Sequence, residues 1–194
     1  IITMAGLGSR FRKAGYNVPK FMINAKEKTL FEWSMESLED FKENSKYIFI
    51  IREENGVENF IKEKCKEMNI DKYEIIKLDH LTSGQAETAK IAVEKCAPND
   101  EILIYNIDTY IDPKYFRKQD IKGDGCIPCF NAPGDHWSFA KTDENGKVID
   151  VREKVKISDN ASVGAYYFKS AAEYIRIYEE YYKNNSNMEK GERY

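Results

Sequence analysis

The residues best suited to chemistry in this chain form one loop, Gly6-Leu7-Gly8-Ser9-Arg10-Phe11, followed by Pro19-Lys20. Two glycines directly after a short apolar run let the backbone approach a phosphate closely and present N–H groups where side chains would otherwise obstruct. Arg10, Arg12, Lys13 and Lys20 gather positive charge on the same segment. The chemistry implied is polyphosphate binding. Two familiar phosphate loops fail on residues: a dinucleotide fingerprint needs a third glycine where Phe11 stands, and a Walker A loop needs Gly-Lys followed by Ser or Thr. A GxG alone would be no more than a tight turn, so the weight rests on Arg10 and the Pro19-Lys20 pair.

Two further segments carry candidates. Leu81-Thr82-Ser83-Gly84-Gln85-Ala86-Glu87-Thr88 is small enough for a flat nucleobase to lie against backbone groups that read its edge, although Thr82 or Ser83 would equally serve as a helix cap. Asp108, in Tyr105-Asn106-Ile107-Asp108, is a hard oxygen ligand that could hold Mg²⁺ against phosphate oxygens. Mg²⁺ usually takes only one or two carboxylates besides substrate. Taken alone, Asp108 reads as a turn aspartate.

The elements that must position these residues alternate. Apolar, β-branched or aromatic runs at 1–4, 47–51, 73–78 and 101–105 predict strands, and helical periodicity lies between them at 30–41, 57–68 and 86–96. That is the order of a parallel α/β sheet. All three candidate segments then follow parallel strands, so their loops emerge along one edge, where open α/β sheets bind ligands. After Pro113 the pattern changes to closely spaced strands at 126–130, 137–141 and 148–152, with Glu144-Asn145-Gly146 as a hairpin signal. A strand at 164–168 and a tyrosine-rich helix at 171–182 follow. The expected fold is a Rossmann-like mixed sheet flanked by helices, with an antiparallel extension.

Composition sets the outer bounds. A chain of 194 residues with 42% hydrophobic residues can bury one full core, and a single domain over 1–194 is expected. The net charge of −3 gives no reason to expect nucleic acid or an anionic membrane as partner. No apolar run is long enough to cross a bilayer. Four irregularly spaced cysteines fit reduced thiols, and the expected location is cytoplasmic. The start inside an apolar run and the stop after Glu192-Arg193-Tyr194 read as cuts, the C-terminal one leaving the domain short.

At these residues the chain resembles the nucleotidyltransferase (pyrophosphorylase and cytidylyltransferase) family that makes nucleotide sugars and related activated head groups. The resemblance implies the nucleotide-diphospho-sugar transferase fold, Mg²⁺ as cofactor, and two small partners, a nucleoside triphosphate and a phosphorylated acceptor. It assigns Ala5, Gly6, Leu7, Gly8, Ser9, Arg10 and Lys20 to nucleotide binding, with Thr82, Ser83, Gly84 and Gln85 reading the base. Gln85 departs from the usual Thr or Leu of that loop. Arg10, Lys20 and Asp108 become the catalytic set, and Asp108 the metal ligand. Glu153-Lys154 is similar to the family's Glu-Lys-Pro, with Val155 in place of proline, and Gly164-Ala165-Tyr166 to its Gly-Ile-Tyr strand. Glu153, Lys154 and Gly164 are thereby implied on the acceptor side, and a second metal carboxylate would lie beyond Tyr194; Trp137 reads either as a wall of the acceptor pocket or, as often for a Trp in a strand, as core. Asp135-His136-Trp137-Ser138-Phe139 looks closest to short members acting in surface-polysaccharide (capsule) assembly, several of them cytidylyltransferases.

Other residues are set aside. Cys126 and Cys129, three apart in one expected strand, would point to opposite faces and pack rather than bind zinc. His80 and His136 have no partner visible in sequence, and the aromatics of 166–182 read as packing at helical spacing. The competing functions are a glycosyltransferase of related fold using Asp108 in an acidic metal motif, and a pyrophosphorylase-like binding module that has lost turnover. Base, acceptor and oligomeric state do not follow from the sequence.

Overall fold

The computed structural model describes residues 1–54, 56–184, 187, 188 and 193. Strands β1 (Ile2–Thr3), β4 (Tyr47–Arg52), β5 (Tyr73–Leu78) and β6 (Ile102–Asn106) are parallel. On the other side of β6, strand β12 (Ala165–Phe168) pairs antiparallel with β6 and β7 (Gly125–Cys126) pairs antiparallel with β12, in the order β5-β4-β1-β6-β12-β7. Helices α1 (Ser9–Lys13), α2 (Leu30–Glu36), α3 (Val57–Glu67) and α4 (Gln85–Val93) connect the parallel strands, and α5 (Ala171–Tyr182) follows β12. A second, antiparallel sheet has the order β10-β9-β11-β8, from β8 (Cys129–Asn131), β9 (Ser138–Thr142), β10 (Val148–Glu153) and β11 (Asn160–Ser162). The expected mixed sheet with an antiparallel extension is what the chain forms.

Local chemistry explains the elements. Tyr47 to Ile51 is buried at every position, as expected of a parallel strand covered on both faces. Helix α2 starts at a capping box, in which Thr29 accepts from the Glu32 N–H and Glu32 accepts from the Thr29 N–H at 2.8 Å. Helix α5 starts where Ser170 Oγ accepts from the Glu173 N–H. Its Tyr174, Tyr178 and Tyr182, one helical turn apart, are 5–7% exposed against β6 and α4, so these aromatics are packing residues. Phe31, Phe49, Ile61 and Tyr105 fill the main core on the other face of the large sheet.

Two expected elements end differently from the periodicity, and three short strands leave none. The helix expected over 30–41 ends at Glu36 and resumes as a 3₁₀ turn at Glu39–Phe41. The cause is Ser37, whose Oγ donates to the Trp33 carbonyl and accepts from the Ile111 N–H at 2.8 Å, a pattern that bends helix ends. The strand expected over 126–130 is two strands in two sheets, broken at Ile127-Pro128, where proline offers no N–H. Cys126 and Cys129 therefore do not share a strand. Cys129 is exposed rather than packed, and both are free thiols. The hairpin of β2 (Asn24–Ala25) and β3 (Lys28–Thr29), and β11, are too short to leave a period in the sequence.

Candidate functional site

The loops that leave β1, β5 and β6 meet at one edge of the large sheet. The first carries Gly8 in the left-handed region (φ 60°), whose carbonyl accepts from the Phe11 and Arg12 N–H groups and so starts α1. A Cβ at Gly6 or Gly8 would meet nothing within 4 Å, so this loop faces open space. Arg12 braces it, with Nη2 2.6 Å from Glu54 Oε1 and Nε donating to the Leu7 carbonyl. Ala5 is buried behind it, Leu7 and Ser9 lie on its rim, and Arg10 is exposed on α1. Arg12, not Arg10, lines the clefts at this loop.

Lys20 opens a 3₁₀ turn anchored by buried Phe21. Its Nζ stands 2.6 Å from Asp108 Oδ2, joining the first loop to the third. Asp108 is held in place by its neighbours: the Ile107 carbonyl accepts from Ser34 Oγ at 2.7 Å, and Tyr105 Oη donates to the Thr109 carbonyl at 2.7 Å. The Asp108 side chain itself is 47% exposed. A carboxylate with a fixed backbone and a free face can serve either a cation or a metal.

The middle segment is not capped as its sequence suggested. Gly84 precedes α4 with φ 147° and no side-chain cap. Thr82 Oγ1 contacts Thr88 Oγ1 at 2.6 Å, and the Ser83 N–H and hydroxyl both reach Glu87. Burial raises the Glu87 carboxyl, but the Ser83 hydrogen bonds outweigh it and the net shift is downward. The Ser83 carbonyl and Ala86 N–H are taken by the backbone of Arg193 at 2.7 and 3.0 Å, and a Cβ on Gly84 would stand 2.2 Å from the Arg193 carbonyl oxygen. Gly84 is required there by close backbone approach. Gln85 turns the other way: its Nε2 donates to Asn106 Oδ1, with Thr3 Oγ1 at 3.4 Å.

Asn106 and Thr3 are residues the sequence reading missed. They join the ends of β6 and β1 to α4, and the one available signal was a polar side chain ending an otherwise apolar run in β6. Gly164 makes room for this arrangement. It adopts φ 78°, and a Cβ there would lie 2.7 Å from Asn106 Nδ2.

On the far side, Ser138 begins β9 opposite Glu153 at the end of β10. Ser138 Oγ donates to Glu153 Oε2, while Glu153 Oε1 lies 2.7 Å from Lys154 Nζ. Lys154 is itself left-handed (φ 55°), its N–H bound to the Trp137 carbonyl. A cavity of about 840 Å³ brings Trp137, Glu153 and Gly164 to the same walls as Gln85, Asn106 and Asp108. Lys154 is behind Glu153 and does not line it. Among the described residues no group of three or more His, Cys, Asp or Glu side chains could hold a metal by itself. Likewise no described helix is long and apolar enough to cross a membrane.

This architecture has known counterparts. A sequence model of the family described as nucleotidyl transferase matches residues 1–193. The chain is 36% identical to a nucleoside-diphosphate-sugar pyrophosphorylase from Vibrio cholerae, covering 100% of this chain and 84% of that one with a TM-score of 0.89. It shares its fold with an inositol-1-phosphate CTP transferase from T. maritima (13% identity, 94% and 74% covered, TM-score 0.74). The same holds for a CTP:phosphocholine cytidylyltransferase from Streptococcus pneumoniae (19% identity, 92% and 74% covered, TM-score 0.68). Among curated proteins none matches it significantly. With one family spanning nearly the whole chain and a structural relative of this similarity, the protein belongs to the nucleotidyl transferase family.

Proposed function

We propose that the protein transfers a nucleoside monophosphate from a nucleoside triphosphate, CTP favoured over UTP or dTTP, to a small phosphorylated acceptor, releasing pyrophosphate for surface-polysaccharide synthesis. The observation that carries this reading is the meeting of Lys20 and Asp108, 2.6 Å apart, at the edge where the glycine loop opens. A binding module without turnover would have no need of that pair, and a glycosyltransferase would have no use for the cationic loop.

Asp108 fits Mg²⁺ as a single carboxylate, because the ion ordinarily completes its shell with substrate phosphates and water. When bound, Mg²⁺ supplies charge neutralisation on the phosphate oxygens. Lys20, freed from Asp108, neutralises the departing phosphates, and Arg10, exposed on α1, is assigned the outer ones. Ala5, Gly6, Leu7, Gly8 and Ser9 are the proposed backbone bed for the triphosphate, and a base read by Thr82, Ser83, Gly84 and Gln85 displaces the Arg193 backbone from Ser83 and Ala86. An acceptor phosphate oxygen attacks the α-phosphorus, the new P–O bond forms, and the bond from that phosphorus to the β-bridging oxygen breaks. The nucleophile is already ionised at neutral pH, so positioning and charge stabilisation do the catalytic work. Lys154 can swing from Glu153 to align the incoming phosphate, with Trp137, Glu153 and Gly164 around the rest of the acceptor.

The test is acceptor-dependent pyrophosphate release from each of CTP, UTP, dTTP, GTP and ATP with Mg²⁺. Release that needs both substrates supports transfer. Nucleotide binding without release under any acceptor would favour the binding module.

A further inference from the structure

We infer that Arg12 is a positioning residue for the triphosphate: held by Glu54, it fixes the Leu7-Gly8 peptide so that the Gly8 N–H is set as a donor before the ligand arrives. This rests on the function proposed above, which supplies the triphosphate.

The glycine loop has a freedom that must be limited. Gly6 and Gly8 carry no side chain, a Cβ at either would meet nothing within 4 Å, and Gly8 sits at φ 60°, so local sterics leave more than one peptide orientation open. Among the described residues, only Arg12 has a side chain hydrogen-bonded to the backbone of residues 5–9, its Nε donating to the Leu7 carbonyl at 3.3 Å. A trans peptide is planar, so the Leu7 carbonyl and the Gly8 N–H point in opposite directions. Drawing the carbonyl toward Arg12 turns the Gly8 N–H away from it. The flipped peptide would exchange the two groups and offer a polyphosphate the carbonyl oxygen, which repels it.

Arg12 is held in turn. Its Nη2 stands 2.6 Å from Glu54 Oε1, and Arg52 Nη2 lies 3.5 Å from Glu54 Oε2. The backbone under Glu54 is tied on both sides. The Glu53 N–H donates to the Leu78 carbonyl at 3.1 Å, joining the ends of β4 and β5, and the Glu54 carbonyl accepts from the Val57 N–H at 3.3 Å at the start of α3. The loop is thereby referenced to the sheet edge. With side chains 46% and 29% exposed, the Arg12-Glu54 pair adds little to the stability of the fold. What it sets is position, in a cleft that Gly6, Gly8 and Lys20 also line.

The experiment measures KM for the triphosphate, KM for the acceptor and melting temperature for Arg12→Met and Glu54→Gln, with pyrophosphate release in Mg²⁺ as the readout. Both variants are expected to raise KM for the triphosphate by about tenfold, the size of one charge-assisted contact, while acceptor KM and melting temperature hold. The sign for Glu54→Gln is decisive. That variant removes a negative charge and leaves Arg12 in place, so if Arg12 were simply a cation for phosphates the triphosphate would bind more tightly. Arg12→Lys keeps the charge but has one nitrogen for two partners, and is expected to recover only part of the loss. An unchanged or lowered triphosphate KM in either of the first two variants overturns the inference and leaves the transferase reading standing. Full recovery by lysine, or a KM rise that comes with a lowered melting temperature, does the same. No pyrophosphate release by the parent protein with any acceptor, and no triphosphate binding by calorimetry, overturns both.

Discussion

Lys20 Nζ and Asp108 Oδ2, 88 residues apart in sequence, stand 2.6 Å from each other across the crevice. Each is the other's counter-ion, and under the proposed function a triphosphate and its metal would take over both charges. Lys20→Ala is expected to lower kcat by on the order of a hundred- to a thousandfold, the usual effect of deleting one charge-stabilising donor. Steady-state pyrophosphate release checks it, and turnover near that of the parent protein would remove Lys20 from the mechanism.

Gly164 combines a left-handed backbone with the crowding of Asn106. Gly164→Ala should cost about 1–3 kcal/mol in strain and push Asn106 away from Gln85. Thermal melting reads the first effect and a raised KM for the triphosphate the second. A variant with unchanged melting temperature and KM would show that neither the glycine nor the Asn106-Gln85 contact matters.

Glu87 binds Ser83 at both the N–H and the hydroxyl and has a carboxyl lowered from the ordinary 4.5. Because the folded value lies below the unfolded one, its stabilisation is complete above about pH 4.5 and is lost as pH falls through the lower folded value. Glu87→Gln should therefore lose less melting temperature than the parent on acidification below that point. Parallel curves for the two proteins would assign the acid sensitivity elsewhere.

Phe49 is fully buried in β4, against Phe31 and Tyr47. Phe49→Ala should destabilise by about 3–5 kcal/mol through lost transfer energy and the remaining cavity, measured by denaturant unfolding. A loss below about 1 kcal/mol would mean that the neighbours collapse into the space.

The sequence by itself determined the order of the four parallel strands and the helices between them, the glycine loop, and the choice of Lys20, Asp108, Trp137 and Glu153 as residues to watch. Periodicity and turn chemistry act over a few neighbours, so they are written locally: the run 47–51 is a strand wherever it packs, and Ser170 with Glu173 starts a helix on its own. Family motifs added which residue types belong together, but not what each one touches.

Only the tertiary structure decided the partnerships. Arg12 rather than Arg10 braces the glycine loop because Glu54 arrives from another connection. Gln85 meets Asn106 and Thr3 because α4 crosses the ends of β1 and β6. The strand expected at 126–130 divides between two sheets at Pro128, and α2 stops at Ser37 because Ile111 needs its hydroxyl. Each of these depends on contacts across many residues of chain, where pairing energy is set by which surfaces the whole fold brings together, and no local pattern records that.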